Sequence, residues 1–219
     1  LELTKRKYSI VESGIENGFY PLVSDYKGEN DSTRKLILLS NPCNPTGVTR
    51  SGEELNNLVN EVSHGDSGLL IDEAYELFHN PPISAAKYIN NINKSNLFIA
   101  GAATKGFQAP GIRVGWIIAS HDHIKTLGNF SSFGMGGVSR PSQLYAEKLF
   151  GRNRTDLAIK AIPNYYANQR DRYEKAFKEM GLELFSGEGG FYHWCKLQGK
   201  LDSNRFNKEL FKYGAAILK

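Results

Sequence analysis

The chain has 219 residues, of which 40% are hydrophobic and 23% are charged, and its formal net charge is +4. This composition is typical of an ordinary globular protein, and the mild, scattered positive charge does not indicate a nucleic-acid partner. No apolar run approaches the roughly 20 residues that a helix needs to cross a bilayer, so we expect no membrane partner. Cys43 and Cys195 do not form a disulfide framework, which favours a reducing, cytoplasmic location.

The first 35 residues carry the weakest signals. They predict a short helix over Tyr8–Gly18, a short strand over Phe19–Val23 and a polar loop over Ser24–Lys35. The chain opens on Leu1 rather than Met and stops at Lys219 directly after an apolar run. We therefore expect it to be a fragment of a longer protein.

The next segment alternates apolar runs with a helix. Leu36–Leu39 is a continuous apolar run, which predicts a strand covered on both faces of a parallel sheet. A capping box over Ser51–Glu54 predicts the start of a helix that ends near Gly65. Its buried face is expected to carry Leu55, Leu58, Val59 and Val62.

Further short apolar runs predict three more strands. They lie over Leu69–Ile71, Leu97–Ala100 and Val114–Ala119, with a possible short helix from Ser84 between the first two. Strands that alternate with helical segments favour a mostly parallel α/β sheet, whose ligand chemistry lies at the carboxyl ends of its strands. The sequence therefore predicts the α/β class.

Polar, reactive side chains follow three of these predicted strands. Asn44 comes after the first, Asp72 directly after the second and Lys105 after the third. Because the carboxyl ends of parallel strands meet at one edge of a sheet, we expect these three residues to converge. Lys105 lies among small residues, where an amine is open to a ligand and can attack a carbonyl.

The second half of the chain is predicted to be mainly helical at first and α+β afterwards. The expected elements are a short helix from Ser120 through Leu127, a mobile loop over Ser131–Gly137, a helix over Pro141–Phe150, a long helix over Asp156–Met180 that Pro163 kinks or starts, strands over Leu182–Phe185 and Phe191–Leu197, and a helix over Ser203–Tyr213.

Three motifs together resemble the class I and II aminotransferases of pyridoxal-phosphate fold type I. They are N-P-C-N-P-T-G at residues 41–47, I-D-E-A-Y at 71–75 and T-K-G-F-Q-A-P-G-I-R-V-G at 104–115. The F-Y-H-W run from Phe191 is similar to a strand of that family's small domain. The resemblance implies a large cofactor-binding domain over residues 1–155, with its N-terminal part missing, and a truncated small domain over residues 156–219.

The resemblance assigns roles to the reactive residues. Lys105 matches the lysine that forms a Schiff base with pyridoxal phosphate and later acts as the base. Asp72 matches the carboxylate that keeps the pyridine nitrogen protonated, so that the ring can accept the electrons of a carbanion. Asn44 and Tyr75 match the hydrogen-bond donors to the ring's phenolate oxygen.

The cofactor's phosphate is assigned to Arg113, because a guanidinium is a planar, permanently charged fork. Thr104 could add a hydroxyl beside it. Many relatives carry a serine three places before the lysine, where this chain has Ala102, so one phosphate hydrogen bond is expected to be missing.

Each of these residues alone also has a plain structural interpretation. Lys105 would be a solvated loop lysine, Asp72 a turn cap, Asn44 part of an Asn-Pro turn, Tyr75 a core aromatic and Arg113 a surface ion pair. Other polar residues receive no role: we interpret Glu73 as a solvated or helix-start acid, Arg140 and Arg170 as surface charges, and His121 with His123 as no metal site.

The function implied is that of a pyridoxal-phosphate-dependent aminotransferase. It would move an amino group between an amino acid and a 2-keto acid through the Lys105 Schiff base, in a homodimer. Two alternatives stay open. One is another reaction of the same fold type, such as a C–S lyase, racemase, decarboxylase or cyclase, and the other is a sensing module without catalysis.

Overall fold

The computed structural model describes residues 5, 7–27, 34–197, 199 and 202–217. Its main sheet has four strands. They stand in the order β1 (Lys35–Ser40), β2 (Ser67–Asp72), β3 (Leu97–Ala102) and β4 (Gly115–Ile118). Strands β1, β2 and β3 are parallel, and β4 is antiparallel to β3. The predicted α/β class with a mostly parallel sheet is confirmed.

Helices occupy much of the remaining chain. Within the described ranges the α-helices are α1 (Val23–Lys27), α2 (Gly52–Val62), α3 (His121–Gly134), α4 (Arg140–Leu149), α5 (Arg152–Glu179) and α6 (Ser203–Phe211). A second, two-stranded antiparallel sheet pairs β5 (Glu183–Leu184) with β6 (Cys195–Lys196). Of the helices in the described part of the chain, none is long and apolar enough to cross a membrane.

The hydrophobic core lies between α2 and one face of the main sheet. The predicted helix face is confirmed, since Leu55, Leu58, Val59 and Val62 are all buried there. Ser51 is the N-cap residue, but its side chain makes no capping hydrogen bond, so the predicted capping box does not form. Gly52 takes a φ of 55°, and this left-handed first position departs from the regular helical start that a capping box needs.

The opposite face of β1 is exposed, which corrects the prediction that this strand is covered on both faces. Ile37 is buried, whereas its neighbours Leu36 and Leu38 are 61% and 70% exposed. Successive strand side chains point to opposite faces, and α2 covers only the face that carries Ile37. The apolar run therefore predicted the strand correctly, but the prediction that both of its faces are covered was wrong.

The N-terminal predictions are wrong in their element types. Only a 3-10 turn, Ile15–Asn17, forms within the expected helix, and Gly18 ends it at a φ of 61°. Phe19 has a positive φ of 58°, which is incompatible with a strand. Helix α1 occupies the start of the expected loop, and residues 28–33 of that loop lie outside the described residues.

The later elements agree with their predictions in type and differ in length. Ser120 caps α3 as expected, accepting from the backbone N–H of His123, but α3 continues to Gly134, through the start of the predicted Ser131–Gly137 loop. Helix α5 runs through Pro163 without interruption, and each strand of the small sheet has two residues. The division of the chain after residue 155 stays a prediction.

Candidate active site

The sheet brings the ends of β1, β2 and β3 to one edge. Ser40, Asp72 and Ala100 are neighbours in the register of the three parallel strands. The pairing extends beyond the strands, because Asn41 donates its N–H to the Asp72 carbonyl at 2.9 Å and Glu73 donates to the Ala100 carbonyl at 2.8 Å. The three segments that carry the predicted site residues therefore leave the sheet side by side.

Tyr75 and Asn44 meet above this edge. The Nδ2 of Asn44 donates to the Tyr75 hydroxyl at 3.5 Å, a long hydrogen bond. Tyr75 is 5% exposed, and burial raises the pKa of its phenol above the ordinary value; the neighbouring Tyr192 hydroxyl and the Asp72 carboxylate act in the same direction. Tyr75 is therefore neutral at physiological pH and able to donate a hydrogen bond.

Lys105 lies beside the same tyrosine. Its Nζ is 5.7 Å from the centroid of the Tyr75 ring and 5.4 Å from that of Phe191, within the range of a cation–π interaction. The turn after β3 fixes its backbone, since Lys105 accepts at its carbonyl from Gln108 at 3.0 Å. Asn44 and Lys105, two of the three residues that were predicted to converge, therefore both lie beside Tyr75.

Asp72 stands at the same edge, and in the described part of the chain its carboxylate accepts no hydrogen bond from Asn44, Tyr75 or Lys105. Its side chain is exposed, and Oδ1 accepts from the backbone N–H of Ala74 at 2.9 Å. This short Asx turn sets the direction of the carboxylate. Asp72 is close enough to Tyr75 and Glu73 for its charge to raise the pKa of both.

Thr104 and Arg113 lie near the two ends of the connection between β3 and β4. Arg113 is exposed, has a left-handed backbone at φ 55°, and donates from Nη1 to the Pro110 carbonyl at 3.1 Å. Thr104 is half-buried. Within the described ranges neither residue hydrogen-bonds to Asn44, Tyr75 or Lys105, so their roles remain predictions.

Two ionisable residues, Glu73 and Arg170, are buried, although the sequence led us to expect both in solvent. Glu73 is 2% exposed, and its Oε1 accepts from the backbone N–H of Ala85 at 2.6 Å. Its Oε2 is buried and has no hydrogen-bond partner among the described residues. Burial raises the pKa of Glu73 to about 7, against the Ala85 and Ser84 hydrogen bonds, which lower it. Glu73 is therefore neither a solvated acid nor a helix-start acid.

The interpretation of Arg170 as a surface charge is also wrong, because this residue is only 9% exposed. Its Nη1 donates to the carbonyls of Phe78 and Gly190, both at 2.9 Å. The signal was its spacing: Arg170 stands four residues after Tyr166 on α5, so it falls on the helix face that packs against the chain. Arg140 is exposed, as interpreted.

An aromatic cluster, missed from the sequence, joins the site to α5. It comprises Tyr75, Phe78, Tyr166, Phe191 and Tyr192, with neighbouring ring centroids 4.5 to 6.3 Å apart. The F-Y pair of the F-Y-H-W run belongs to this cluster. Its rings form the apolar wall beside the Lys105 amine.

Comparison with known proteins shows which family model and which relatives the chain matches. A family model described as "Aminotransferase class I and II" matches residues 3–219. A 1-aminocyclopropane-1-carboxylate synthase of Prunus mume is 25% identical over 192 residues, covering 83% of this chain and 38% of that protein. A probable aspartate/prephenate aminotransferase of Aquifex aeolicus is 24% identical over 181 residues, covering 81% and 46%.

The fold is also that of a solved structure. An aspartate aminotransferase from Thermus thermophilus superposes with a TM-score of 0.80 at 23% identity, over 94% of this chain and 54% of that one. At this identity the likeness concerns the fold alone. The chain spans less than half the length of the two curated relatives above.

Proposed function

Because the chain belongs to the class I and II aminotransferase family, we propose that it holds pyridoxal phosphate and moves an amino group between an amino acid and a 2-keto acid. Members of this family depend on that cofactor. One observation carries the proposal: the Lys105 amine lies beside Tyr75, whose hydroxyl accepts from Asn44. An amine, a phenol and an amide from three strand ends are brought together.

The donor set at this edge fits the cofactor chemically. It offers an amine in Lys105, a carboxylate in Asp72, hydrogen-bond donors in Asn44 and Tyr75, and a guanidinium in Arg113. When bound, pyridoxal phosphate supplies an aldehyde that links to an amine and a protonated ring that takes up electrons from a breaking bond.

Lys105 and Asp72 would perform the central proton chemistry. The Lys105 Nζ would be the covalent attachment point for the cofactor and, as a free amine, would accept the proton from the substrate's α-carbon. Asp72, whose carboxylate is held by the Ala74 N–H, would keep a proton on the pyridine nitrogen beside it.

The other residues would orient the group. Tyr75, held neutral by burial, and Asn44 would donate to the ring oxygen. Arg113 would bind the phosphate, with the Thr104 hydroxyl beside it. Ala102 has no hydroxyl to offer, so one phosphate hydrogen bond common in relatives would be lost.

A second reaction at the same site is favoured by the relatives named 1-aminocyclopropane-1-carboxylate synthases. A ring-forming synthase would consume one amino acid and need no keto-acid acceptor. The same residues would serve both reactions, since the cofactor determines which electrons move and the pocket selects the bond that breaks.

Product analysis separates the two reactions. The chain with added pyridoxal phosphate is incubated with panels of amino acids, each with and without a 2-keto acid. We expect the keto acid of the donor and the amino acid of the acceptor in equal amounts, and no turnover without an acceptor. Products formed without an acceptor would contradict transamination and support lyase or ring-forming chemistry.

Matched lysine variants link any activity to the site. We expect Lys105→Ala to abolish turnover, whereas Lys125→Ala, at an exposed position of α3, should leave it unchanged. Turnover that survives Lys105→Ala would contradict the assignment. Cofactor binding in all variants with no turnover of any panel member would favour the sensing module.

The homodimer implied by the resemblance is part of the same proposal. Light scattering during size-exclusion chromatography tests it directly. We expect twice the mass of one chain, and a monomer at micromolar concentration would contradict it.

A further inference from the structure

Arg170 connects two segments that border the candidate site. One of its acceptors, the Phe78 carbonyl, ends the 3-10 turn Glu76–Phe78, which follows directly on Tyr75. The other, the Gly190 carbonyl, precedes Phe191, whose ring lies against Lys105. Arg170 is 9% exposed, and its guanidinium therefore links both segments to α5 by hydrogen bonds.

A glycine loop, residues 186–190, carries this connection on to Asn44. The N–H of Gly187 donates to the Thr46 carbonyl at 2.7 Å, and the N–H of Gly189 donates to the Gly47 carbonyl at 2.8 Å. These bonds join the loop to the segment that begins just after Asn44.

The two backbones approach so closely that side chains are excluded between them. A Cβ on Gly187 would overlap the backbone of Gly47, and a Cβ on Gly189 would overlap the side chain of Pro42. Glycine is required at these positions for the close approach and not for an unusual backbone angle. The contact is thus specific to this pairing of loops.

Charges around Arg170 keep the connection intact. Burial lowers the pKa of Arg170, but the carboxylates of Asp171 and Glu188 favour the charged guanidinium. Glu188 belongs to the glycine loop, and its Oε2 lies 3.5 Å from the Nε2 of His79, the residue after Phe78. A second polar contact therefore spans the same two segments.

We propose that Arg170 is a positioning residue for the pyridoxal phosphate site. It fixes the turn that carries Tyr75 against the glycine loop, and through that loop it fixes the segment that carries Asn44. The effect on the cofactor rests on the proposed function, whereas the mechanical coupling of the two loops does not.

The test compares Arg170→Gln with Arg172→Gln, an exposed arginine one half-turn away on α5. NMR-detected amide exchange of Gly187 and Gly189 reports on the loop contact without any cofactor. We expect exchange about tenfold faster or more in Arg170→Gln, because two charge-assisted hydrogen bonds are lost, and no change in Arg172→Gln. Arg170→Lys should restore part of the protection.

Cofactor affinity gives the second readout. Titration with pyridoxal phosphate, followed by absorbance, should show binding about tenfold weaker in Arg170→Gln and unchanged in Arg172→Gln. Equal exchange and equal affinity in the two folded variants would overturn the proposal. If the unmodified chain binds no cofactor, the proposed function fails, and the exchange comparison still decides whether Arg170 couples the loops.

A glycine variant keeps the inference testable if Arg170→Gln does not fold. Gly187→Ala forces the loops apart while Arg170 remains, and Gly128→Ala, with open space around it in α3, is its control. We expect faster exchange at Gly189 and weaker cofactor binding only in Gly187→Ala. A folded Gly187→Ala that matches its control in both readouts would overturn the proposal.

Discussion

At the scale of single residues, Tyr75 is the point where the candidate site is assembled. Its hydroxyl accepts a hydrogen bond from Asn44, and its ring faces the Lys105 amine. The ring of Phe191 packs on it with the two ring centroids 5.6 Å apart. Burial raises its pKa, so that the phenol stays protonated. Tyr75 therefore combines a hydrogen-bond donor with an apolar wall, which explains why an aromatic residue with a hydroxyl suits this position.

Removing that hydroxyl should weaken cofactor binding. We expect Tyr75→Phe to bind pyridoxal phosphate about tenfold less tightly, because one hydrogen-bond donor to the bound group is lost while the ring packing remains. Absorbance titration measures the change. Tyr165→Phe, at a 56% exposed position, is the matched control, and equal affinities in the two variants would rule out this role for Tyr75.

Residue type alone could not predict the burial of Glu73 and Arg170. Charged side chains are rarely buried, so the sequence favours solvent for both. Arg170 can be buried because its guanidinium donates to the carbonyls of Phe78 and Gly190. These acceptors lie 92 and 20 residues away along the chain. The reactive residues could be proposed from motif spacings that carry chemistry, whereas the sequence signal for Arg170 is its helical spacing from Tyr166.

At the scale of elements, the end of β2 serves the site and the core at once. Asp72 is exposed at the site edge, while Glu73 is buried and accepts from Ala85 at the start of the 3-10 turn Ala85–Tyr88. Successive residues of an extended chain point to opposite sides, so two adjacent carboxyls have opposite surroundings. One can meet a ligand and the other fixes the connection to the next element.

The buried Glu73 makes stability depend on pH. Its pKa is about 7 in the folded chain and near its ordinary 4.5 in the unfolded chain. Between these values the folded state binds more protons, so the free energy of unfolding falls as pH rises, by on the order of 3 kcal/mol. The contribution is complete below about pH 4.5 and is lost above about pH 7.

Urea unfolding at pH 5 and pH 8 measures this dependence. Glu73→Gln, an isostere of the protonated acid, should lose less stability than the parent chain over that range and be the more stable of the two at pH 8. Glu76 also has a pKa raised to about 7 by burial, so part of the dependence should persist. An identical decline in both proteins would show that Glu73 does not titrate as described.

Elements with a strong local signal were predicted well, and those defined by their surroundings were not. The apolar stripe of α2 and the Ser120 cap of α3 follow from neighbours along the chain. All four residues of Leu36–Leu39 are apolar, which predicted a strand covered on both faces. Whether a face is covered depends on what packs against it, and Leu36 and Leu38 are exposed. Helix α3 likewise continues through Gly128 and Ser131 to Gly134, because glycine and serine disfavour a helix by only about 1 kcal/mol or less per residue.

At the scale of the whole molecule, the core is one-sided. Leu69 on β2 is fully buried against α2, whereas Leu38 on β1 is 70% exposed on the opposite face. The buried cluster around β2 therefore forms a single layer between one face of the sheet and α2. The candidate site lies at the rim of that layer, where Asn41 and Glu73 extend the sheet hydrogen bonds beyond the strands.

Two matched leucine variants test this arrangement. Leu69→Thr should lower the free energy of unfolding by about 2 to 4 kcal/mol, since it removes buried apolar volume and buries a hydroxyl. Leu38→Thr should change it by about 0.5 kcal/mol or less, since that side chain is exposed. Equal losses in urea unfolding would mean that the second face is covered in solution.

The central claim is that Lys105 is the amine of a pyridoxal phosphate site, and covalent labelling tests it most directly. The chain is mixed with pyridoxal phosphate, reduced with borohydride and digested, and the modified lysine is mapped by mass spectrometry. We predict one predominant label, on Lys105, which disappears in Lys105→Ala and persists in Lys125→Ala. A folded chain that carries no label, or carries it on other lysines with Lys105 unmodified, would contradict the account.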